Sequence, residues 1–347
     1  MSQLRRDPIR GHWSIIAPGR NKRPDDHGDP EQVNPLDKGP CPFCPGNEEQ
    51  TPPEVDAVRP NLTGANQPGW LVRIVPNRYP ALIAEALQDT AAVEPPSELT
   101  RFLPAIGSHE IVIATPDHHR RASHFSVGQW DTLLAACQFR MQQLMADTRI
   151  KHVILFQNHG ERAGASRSHE HLQLMGIPMT PQAVSQEVAS ARTYRARHER
   201  CIFCDVLEHE VHEHERLVLA DEAFVSFTPW ASRMPYELWV VPRAHRPSFM
   251  QVPHRERCLL AAHMRELLQR YEQLFGDLAY NWVLHSVPEA DPDAEVFHWH
   301  IELLPRLSQQ AGFEWGTGGF INTTTPEAAA TELRDAQGEV PTASLNA

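Results

Sequence analysis

The sequence has no long hydrophobic stretch. No run of about 18 apolar residues, the length that crosses a bilayer as a helix, occurs in this chain of 347 residues. The charged stretch 1–10 is not followed by an apolar core of the kind found in secretory signal peptides. We therefore expect a cytoplasmic protein with no membrane partner.

The chain is also poor in cysteine and in positive charge. Six cysteines are too few for a disulfide scaffold in a chain of this length. The 32 Lys and Arg residues against 44 Asp and Glu give a net charge of −12, which argues against a nucleic-acid partner. Any anionic ligand must therefore be held by a local cluster of bases, as a small phosphorylated molecule would be.

Four of the cysteines form two Cys-x-x-Cys pairs, Cys41/Cys44 and Cys201/Cys204. Two thiolates at this spacing can bind one metal ion, although a single pair is equally compatible with free thiols. The first pair lies in the segment 24–70, which is rich in Pro, Gly and Asp, a composition that indicates a loop.

The order of features in the first half of the chain repeats in the second. Each half has a Cys-x-x-Cys pair, a strand that ends near a histidine, a long helix, a further strand and a His-x-His motif. We therefore predict an α+β fold with two tandem halves, 1–180 and 181–332. Each half should have a curved antiparallel sheet with one long packed helix, and 333–347 should form a disordered tail.

The repeat also assigns two sets of metal ligands. Matching histidines lie about 50 residues apart in both halves. Two thiolates and two imidazoles suit tetrahedral zinc and leave no open position, so two structural zinc ions are expected, although iron in the second set stays open. His119 and His285 are the competing histidines. The first set is Cys41, Cys44, His118 and His169, and the second is Cys201, Cys204, His245 and His298.

The stretch 164–173 carries two alternating histidines. If its second half is a strand, His169, His171 and Gln173 share one face, and Glu170 lies on the other. Two imidazoles and a carboxamide on one rigid surface suit a metal ligand, a nucleophile and a hydrogen-bond donor. A solvent-facing pair of histidines is the alternative.

The segments 156–160 (Phe-Gln-Asn-His-Gly) and 169–173 (His-Glu-His-Leu-Gln) flank Gly164. This arrangement resembles the galactose-1-phosphate uridylyltransferase family of the histidine-triad superfamily. That family has Phe-Glu-Asn-Arg/Lys-Gly and His-Pro-His-x-Gln at the same spacing, and the likeness covers most of 4–330. Three departures, Gln157, His159 and Glu170, leave the choice of substrate open.

The resemblance implies a nucleotidyltransferase that works through a covalent histidine intermediate. His171 would attack the α-phosphorus of a nucleotide sugar, while Gln173 and Ser166 hydrogen-bond the phosphoryl oxygens. UMP would move from UDP-glucose to a hexose 1-phosphate, and a homodimer is implied. The remaining residues expected to bind the nucleotide sugar are Arg20, Arg23, Asn77 and Asn158 at the diphosphate and Glu314 at the hexose.

Two other functions stay open. The second cysteine pair and the segment 312–318 resemble a branch of the family that includes ADP-glucose phosphorylase, in which phosphate accepts the nucleotide. The chain could also be a zinc-stabilised nucleotide-binding protein in which Glu170 has abolished catalysis. In the second half, His300 repeats His171, but Glu302 stands where the first half has Gln173. Only the first copy is therefore expected to be catalytic.

Overall fold

The structure is a computed structural model that describes residues 2–22, 39–61, 63–83, 99 and 104–336. The strands are β1 (Gln3–Arg6), β2 (Trp13–Ile16), β3 (Asp56–Val58), β4 (Val72–Pro76), β5 (Ser108–Ile113), β6 (His152–His159), β7 (His171–Ile177), β8 (Leu217–Ala220), β9 (Phe224–Phe227), β10 (Leu238–Pro242), β11 (Tyr280–His285), β12 (His300–Pro305) and β13 (Phe320–Asn322). The helices are α1 (Val127–Met145), α2 (Gln182–His198), α3 (Ile202–Glu213), α4 (His254–Phe275), α5 (Gly312–Thr317) and α6 (Pro326–Asp335).

Ten of these strands form one sheet in the order β3-β4-β5-β7-β6-β11-β12-β10-β9-β8. Neighbouring strands are antiparallel, and the first five come from the first half of the chain. At the centre, β6 pairs with β11 from Leu155↔Leu284 to His159↔Tyr280. The predicted α+β fold with tandem halves is confirmed, and the two half-sheets are joined edge to edge into a single sheet.

Two long helices, α1 and α4, pack against one face of this sheet. Helix α1 begins after Ser126, whose hydroxyl accepts a hydrogen bond from the Gln129 N–H at 3.1 Å. Leu172 and Leu174 of β7 belong to the same buried core as Trp130 of α1. Even-numbered residues of β7 therefore face the helices, and odd-numbered residues face the opposite side. None of the helices in the described ranges is long and apolar enough to cross a membrane.

A second, three-stranded sheet has the order β1-β2-β13. Its parallel pair joins Ile16 to Asn322, and the Arg5 guanidinium lies 2.8 Å from the Glu327 carboxylate. The first strands of the chain thus pack on the second half in space, and the division at residue 180 stays a prediction. Helix α6 extends past residue 332, and the rest of the expected tail, 337–347, lies outside the described residues.

Candidate functional site

The loop between β6 and β7 returns the chain sharply to the sheet. Gly160 has φ = 80°, and a Cβ there would lie 2.8 Å from the Cβ of Ala279. Any other residue would have a strained backbone here and a steric clash with Ala279, so the turn requires glycine. The Ala165 N–H closes the turn by donating to the Gly160 carbonyl at 3.1 Å.

The turn sets the first residue of β7 beside the end of β6. The two strands pair Phe156 with Gln173 and Gln157 with Leu172. One further step of this register puts Asn158 opposite His171, on the face that points away from the helices. The predicted strand therefore begins at His171, two residues later than expected, and His169 precedes it.

His171 is held in one tautomer. The residue is 5% exposed, and its Nδ1 lies 2.8 Å from the His169 carbonyl oxygen. Because a carbonyl can only accept, Nδ1 carries the hydrogen and the lone pair is on Nε2. The Phe43 ring, 5.3 Å away between centroids, packs against the imidazole. The side chain is thus fixed in the form that a nucleophile needs.

Two other predicted side chains lie on this face. Gln173 Oε1 is 2.9 Å from His109 Nε2, and Asn77 Nδ2 is 3.1 Å from the same nitrogen. His109 of β5 therefore lies between Asn77 and Gln173. No motif indicates His109, because this residue reaches Gln173 only through the β5–β7 pairing.

Asn158, the third predicted carboxamide, is also held by a residue that the sequence did not indicate. Its Oδ1 accepts a hydrogen bond of 2.7 Å from Asn281 Nδ2 in β11. The same Asn281 amide donates to the Ala163 carbonyl at 2.9 Å, and Asn281 Oδ1 accepts from Arg306 Nε at 2.5 Å. The central strand pair of the sheet thus supports the side chain next to His171.

The first predicted metal set is assembled. Cys44 Sγ lies 3.3 Å from His118 Nδ1, and His169 Nδ1 lies 3.7 Å from both Cys41 Sγ and Cys44 Sγ. Tetrahedral zinc with ordinary Zn–S and Zn–N bonds requires S···N separations of about 3.5 Å. His169 Nε2 donates to the Thr115 carbonyl at 2.8 Å, which leaves Nδ1 as the ligand atom. These side chains fit zinc.

The second set repeats this geometry. Cys204 Sγ lies 3.4 Å from His245 Nδ1 and 3.6 Å from His298 Nδ1, and the ligand atoms, including that of Cys201, lie within 4.8 Å of one another. His298 Nε2 donates to the Pro242 carbonyl at 2.8 Å, as His169 does to Thr115 in the first half. His119 and His285 lie outside both sets.

Three other predicted side chains lie in a loop, a short turn and helix α5. Ser166 is exposed in the loop before β7, and Arg20 is exposed in a short turn, Pro18–Lys22. The Glu314 carboxylate accepts from the Ala311 N–H at 2.8 Å and from the Ile321 N–H at 3.2 Å, next to the small sheet. Arg23 lies outside the described residues.

The three departures from the family motif contact one another. Glu170 accepts hydrogen bonds from Gln157 Nε2 at 2.5 Å and from the Ala122 N–H at 3.1 Å. Its carboxylate also lies 3.0 Å from His159 Nδ1, whose other ring nitrogen is 3.3 Å from Asp277. Glu170 therefore points away from the face that carries the nucleophile, as strand alternation predicted.

The pKa of His159 is shifted upward by this arrangement. Burial disfavours the charged imidazole, but the Glu170 and Asp277 carboxylates outweigh burial and raise the pKa of His159 to about 10. Burial likewise opposes ionisation of Glu170, but His159 outweighs it and lowers the pKa of that carboxyl. The two side chains therefore form a buried ion pair at neutral pH.

Replacing Glu170 with alanine should destabilise the protein by about 3 kcal/mol, because it leaves a buried imidazolium and an unsatisfied Ala122 N–H. Urea unfolding followed by circular dichroism measures the change. Glu161→Ala, which removes an exposed carboxylate from the adjoining loop, is the matched control and should change stability little. Equal losses in the two variants would contradict the ion pair.

The pH dependence of this loss has a defined direction. Because the pKa of His159 is raised, its charged form stabilises the fold fully below the ordinary pKa of 6.5. This stabilisation is lost as the pH rises through about 10. Because the pKa of Glu170 is lowered, its ionised form stabilises the fold fully above the ordinary pKa of 4.5. This stabilisation is lost as the pH falls below that value. The difference between the parent and Glu170→Ala should be largest between pH 4.5 and 6.5. A difference that grows towards alkaline pH would contradict the assignment.

A cleft of about 660 Å³ opens beside the loop, on the side reached by Glu170. Its wall has both signs of charge, with the arginines Arg120, Arg121, Arg162 and Arg306 and the carboxylates Glu161, Glu170 and Asp277. His171 is not in its wall. The site is therefore defined by the chemistry around His171 and not by the size of this cleft.

In the second half, the position equivalent to the nucleophile is closed. His300 is fully buried, and with Glu187 and His285 it offers ligand atoms within 4.8 Å of one another. Arg10 forms ion pairs with both Glu187 and Glu302 in the same cluster. A histidine enclosed by ion pairs has no surface on which to meet a substrate.

Comparison with known proteins gives matches along nearly the whole chain. Residues 1–181 match the family described as "Galactose-1-phosphate uridyl transferase, N-terminal domain", and residues 187–336 match its "C-terminal domain". The chain is 31% identical to an ADP-glucose phosphorylase of Arabidopsis thaliana, with 96% of this chain and 92% of the relative covered. It is 28% identical to a galactose-1-phosphate uridylyltransferase of Thermotoga maritima, covering 98% and 100%.

Solved structures agree with these matches. The crystal structure of an ADP-glucose phosphorylase from Arabidopsis thaliana with bound ADP-glucose superposes with a TM-score of 0.83 at 29% identity. The alignment covers 96% of this chain and 99% of that chain. A structure described as uridylyltransferase superposes with a TM-score of 0.74 at 28% identity, covering 97% and 98%.

Proposed function

The chain belongs to the galactose-1-phosphate uridyl transferase family of enzymes, and on this basis we propose that it transfers a nucleoside monophosphate from a nucleotide sugar by way of His171. The observation that carries the proposal is the 2.8 Å hydrogen bond from His171 Nδ1 to the His169 carbonyl. This bond puts the lone pair on Nε2, next to two carboxamides that can bind phosphoryl oxygens.

In the first step, His171 Nε2 forms a bond to the α-phosphorus while the bond from that phosphorus to the bridging oxygen breaks. The sugar 1-phosphate leaves with the electron pair as a stable anion, so no general acid is required. The imidazole keeps its Nδ1 hydrogen and becomes positively charged. The His169 carbonyl stabilises that charge, and an oxygen of the acceptor then displaces the histidine.

Zinc in the first set would supply no chemistry to the reaction, since four protein ligands leave no open position. Its part is to fix His169. That residue would bind the metal through Nδ1, and its carbonyl oxygen holds His171. Cys41, Cys44, His118 and His169 would therefore keep the nucleophile in its tautomer by holding one stretch of backbone.

Arg20 and Glu314 would bind the substrate of a second chain. Arg20 follows β2, and the Glu314 carboxylate accepts from the N–H groups of Ala311 and Ile321, so both lie beside the small sheet that packs on the second half. A homodimer in which the second half of one chain completes the site of the other would account for this placement. The Glu314 carboxylate retains lone pairs that can accept from hexose hydroxyls.

Two acceptors are candidates. Transfer of UMP from UDP-glucose to a hexose 1-phosphate is the first, because most of the matched relatives are galactose-1-phosphate uridylyltransferases. Phosphate as the acceptor for AMP is the second, favoured by the similarity to the Arabidopsis ADP-glucose phosphorylase in both sequence and structure. A non-catalytic protein is disfavoured because Glu170 points away from the nucleophile.

The acceptor can be identified by supplying each nucleotide sugar with each acceptor. With UDP-glucose and galactose 1-phosphate, we expect glucose 1-phosphate and UDP-galactose in equal amounts. If phosphate is the acceptor, ADP-glucose should instead yield ADP and glucose 1-phosphate. The products are separated by anion-exchange chromatography. Failure of UDP-, ADP- and GDP-sugars to label the protein or react with either acceptor would overturn the proposed function.

A further inference from the structure

Both carboxamides that flank His171 have their oxygen atoms held by other side chains. Gln173 Oε1 contacts His109, and Asn158 Oδ1 contacts Asn281. A carboxamide presents a donor on one side and an acceptor on the other, so the side that faces the substrate depends on these contacts. Phosphoryl oxygens only accept hydrogen bonds, and a carboxamide oxygen turned towards them would repel them.

The orientation of Gln173 is set by a group that can only donate. The Ala81 backbone N–H lies 3.2 Å from His109 Nδ1 and donates to it, so the hydrogen of the neutral ring is on Nε2. The Asn77 NH₂ lies 3.1 Å from the same Nε2, because the Asn77 oxygen accepts from the Tyr79 N–H at 2.9 Å. Two N–H groups cannot hydrogen-bond to each other, so the acceptor that faces Nε2–H is Gln173 Oε1. His109 Nε2–H therefore donates to Gln173 Oε1, and the NH₂ of Gln173 is turned away from His109.

The orientation of Asn158 follows from a second obligatory donor. The Arg306 guanidinium donates to Asn281 Oδ1, so the NH₂ of Asn281 faces Asn158 Oδ1 and the Ala163 carbonyl. The NH₂ of Asn158 then points towards Gly164, where an added Cβ would lie 3.8 Å from Nδ2. Glycine leaves that amide open to a ligand.

We infer that two hydrogen-bond chains, Ala81–His109–Gln173 and Arg306–Asn281–Asn158, preset both carboxamides as donors to the phosphoryl oxygens of the nucleotide at His171. The inference rests on the proposed function and adds His109 and Asn281 as positioning residues. Donors fixed before the substrate arrives stabilise charge in the transition state without reorganising during the reaction. Their loss should therefore lower the rate of the chemical step more than it raises KM.

Two substitutions of His109 separate this role from simple packing. Glutamine can place an NH₂ where Nε2 now lies, whereas asparagine has the same amide but is too short to reach Gln173. His109→Asn should slow formation of nucleotidyl-His171 by about 30-fold, and His109→Gln should stay within about threefold of the parent. Single-turnover labelling with radiolabelled nucleotide sugar measures both, and thermal unfolding reports any loss of stability separately.

The same two substitutions of His109, made in a Gln173→Ala background, test whether His109 acts through Gln173. There, His109→Asn and His109→Gln should differ by less than about twofold. For the second chain, Asn281→Ser should slow labelling by about tenfold in the parent and by less than about twofold in Asn158→Ala. Equal rates for His109→Asn and His109→Gln in the parent background would overturn the inference. A parent that forms no nucleotidyl-histidine would instead overturn the proposed function.

Discussion

His171→Ala should lose nucleotidyl transfer by a factor on the order of 10⁴ or more, because it removes the only atom proposed to bond with the α-phosphorus. The measurement is exchange of labelled glucose 1-phosphate into the nucleotide sugar, together with acid-labile label on the protein. The variant should keep its fold and metal content, since His171 belongs to neither metal set. Loss of activity should therefore come without loss of structure.

The matched control for this variant is His124→Ala. His124 has an exposed side chain near Glu272 and lies outside both metal sets, so its removal should leave exchange and metal content unchanged. Retention of acid-labile label by His171→Ala would contradict the covalent intermediate. Retention of exchange without label would indicate direct attack by the acceptor on the nucleotide sugar.

Cys41→Ser should remove one metal ion per chain and lower the free energy of unfolding by about 4 kcal/mol or more. In the proposed metal set, the Cys41 thiolate would tie its loop to His169, two residues before β7. Its loss should also slow labelling of His171, because His169 then no longer holds its carbonyl in place. Elemental analysis measures the metal, and urea unfolding measures the stability.

The internal repeat provides a control for the effect on labelling. Cys201→Ser should lose the equivalent metal and a comparable amount of stability, but its set adjoins His300, which is buried. Labelling of His171 by folded Cys201→Ser protein should therefore stay near the parent rate. Cys258→Ser, which changes a cysteine outside both sets, should alter neither quantity. Two zinc ions in protein purified without chelator are expected, and none would exclude the metal assignment.

Much of the site could be predicted because its signals are local or repeated. A Cys-x-x-Cys pair fixes two ligands within one turn, and the repeat then selects the matching histidines. Strand alternation placed Glu170 on the face opposite His171 without knowledge of its partners. The contact among the three departures needed the β6–β7 register, which no single motif contains.

The sequence motifs did not indicate His109 and Asn281, because each acts on a strand that is distant in the sequence. His109 reaches Gln173 through the pairing of β5 with β7, and Asn281 reaches Asn158 through β11 and β6. The joining of the two half-sheets depends on that same β6–β11 pairing. Pairing between distant segments is decided by packing of the whole chain, and local patterns do not specify it.

The small sheet has a consequence for the order of events during synthesis. Strand β2 pairs with β1 on one edge and with β13 on the other, so the edge that meets Asn322 stays open until that residue has been made. The β1–β2 pair must therefore wait for residue 322 to leave the ribosome before the small sheet is complete. During that interval it exposes a strand edge that can pair with another chain.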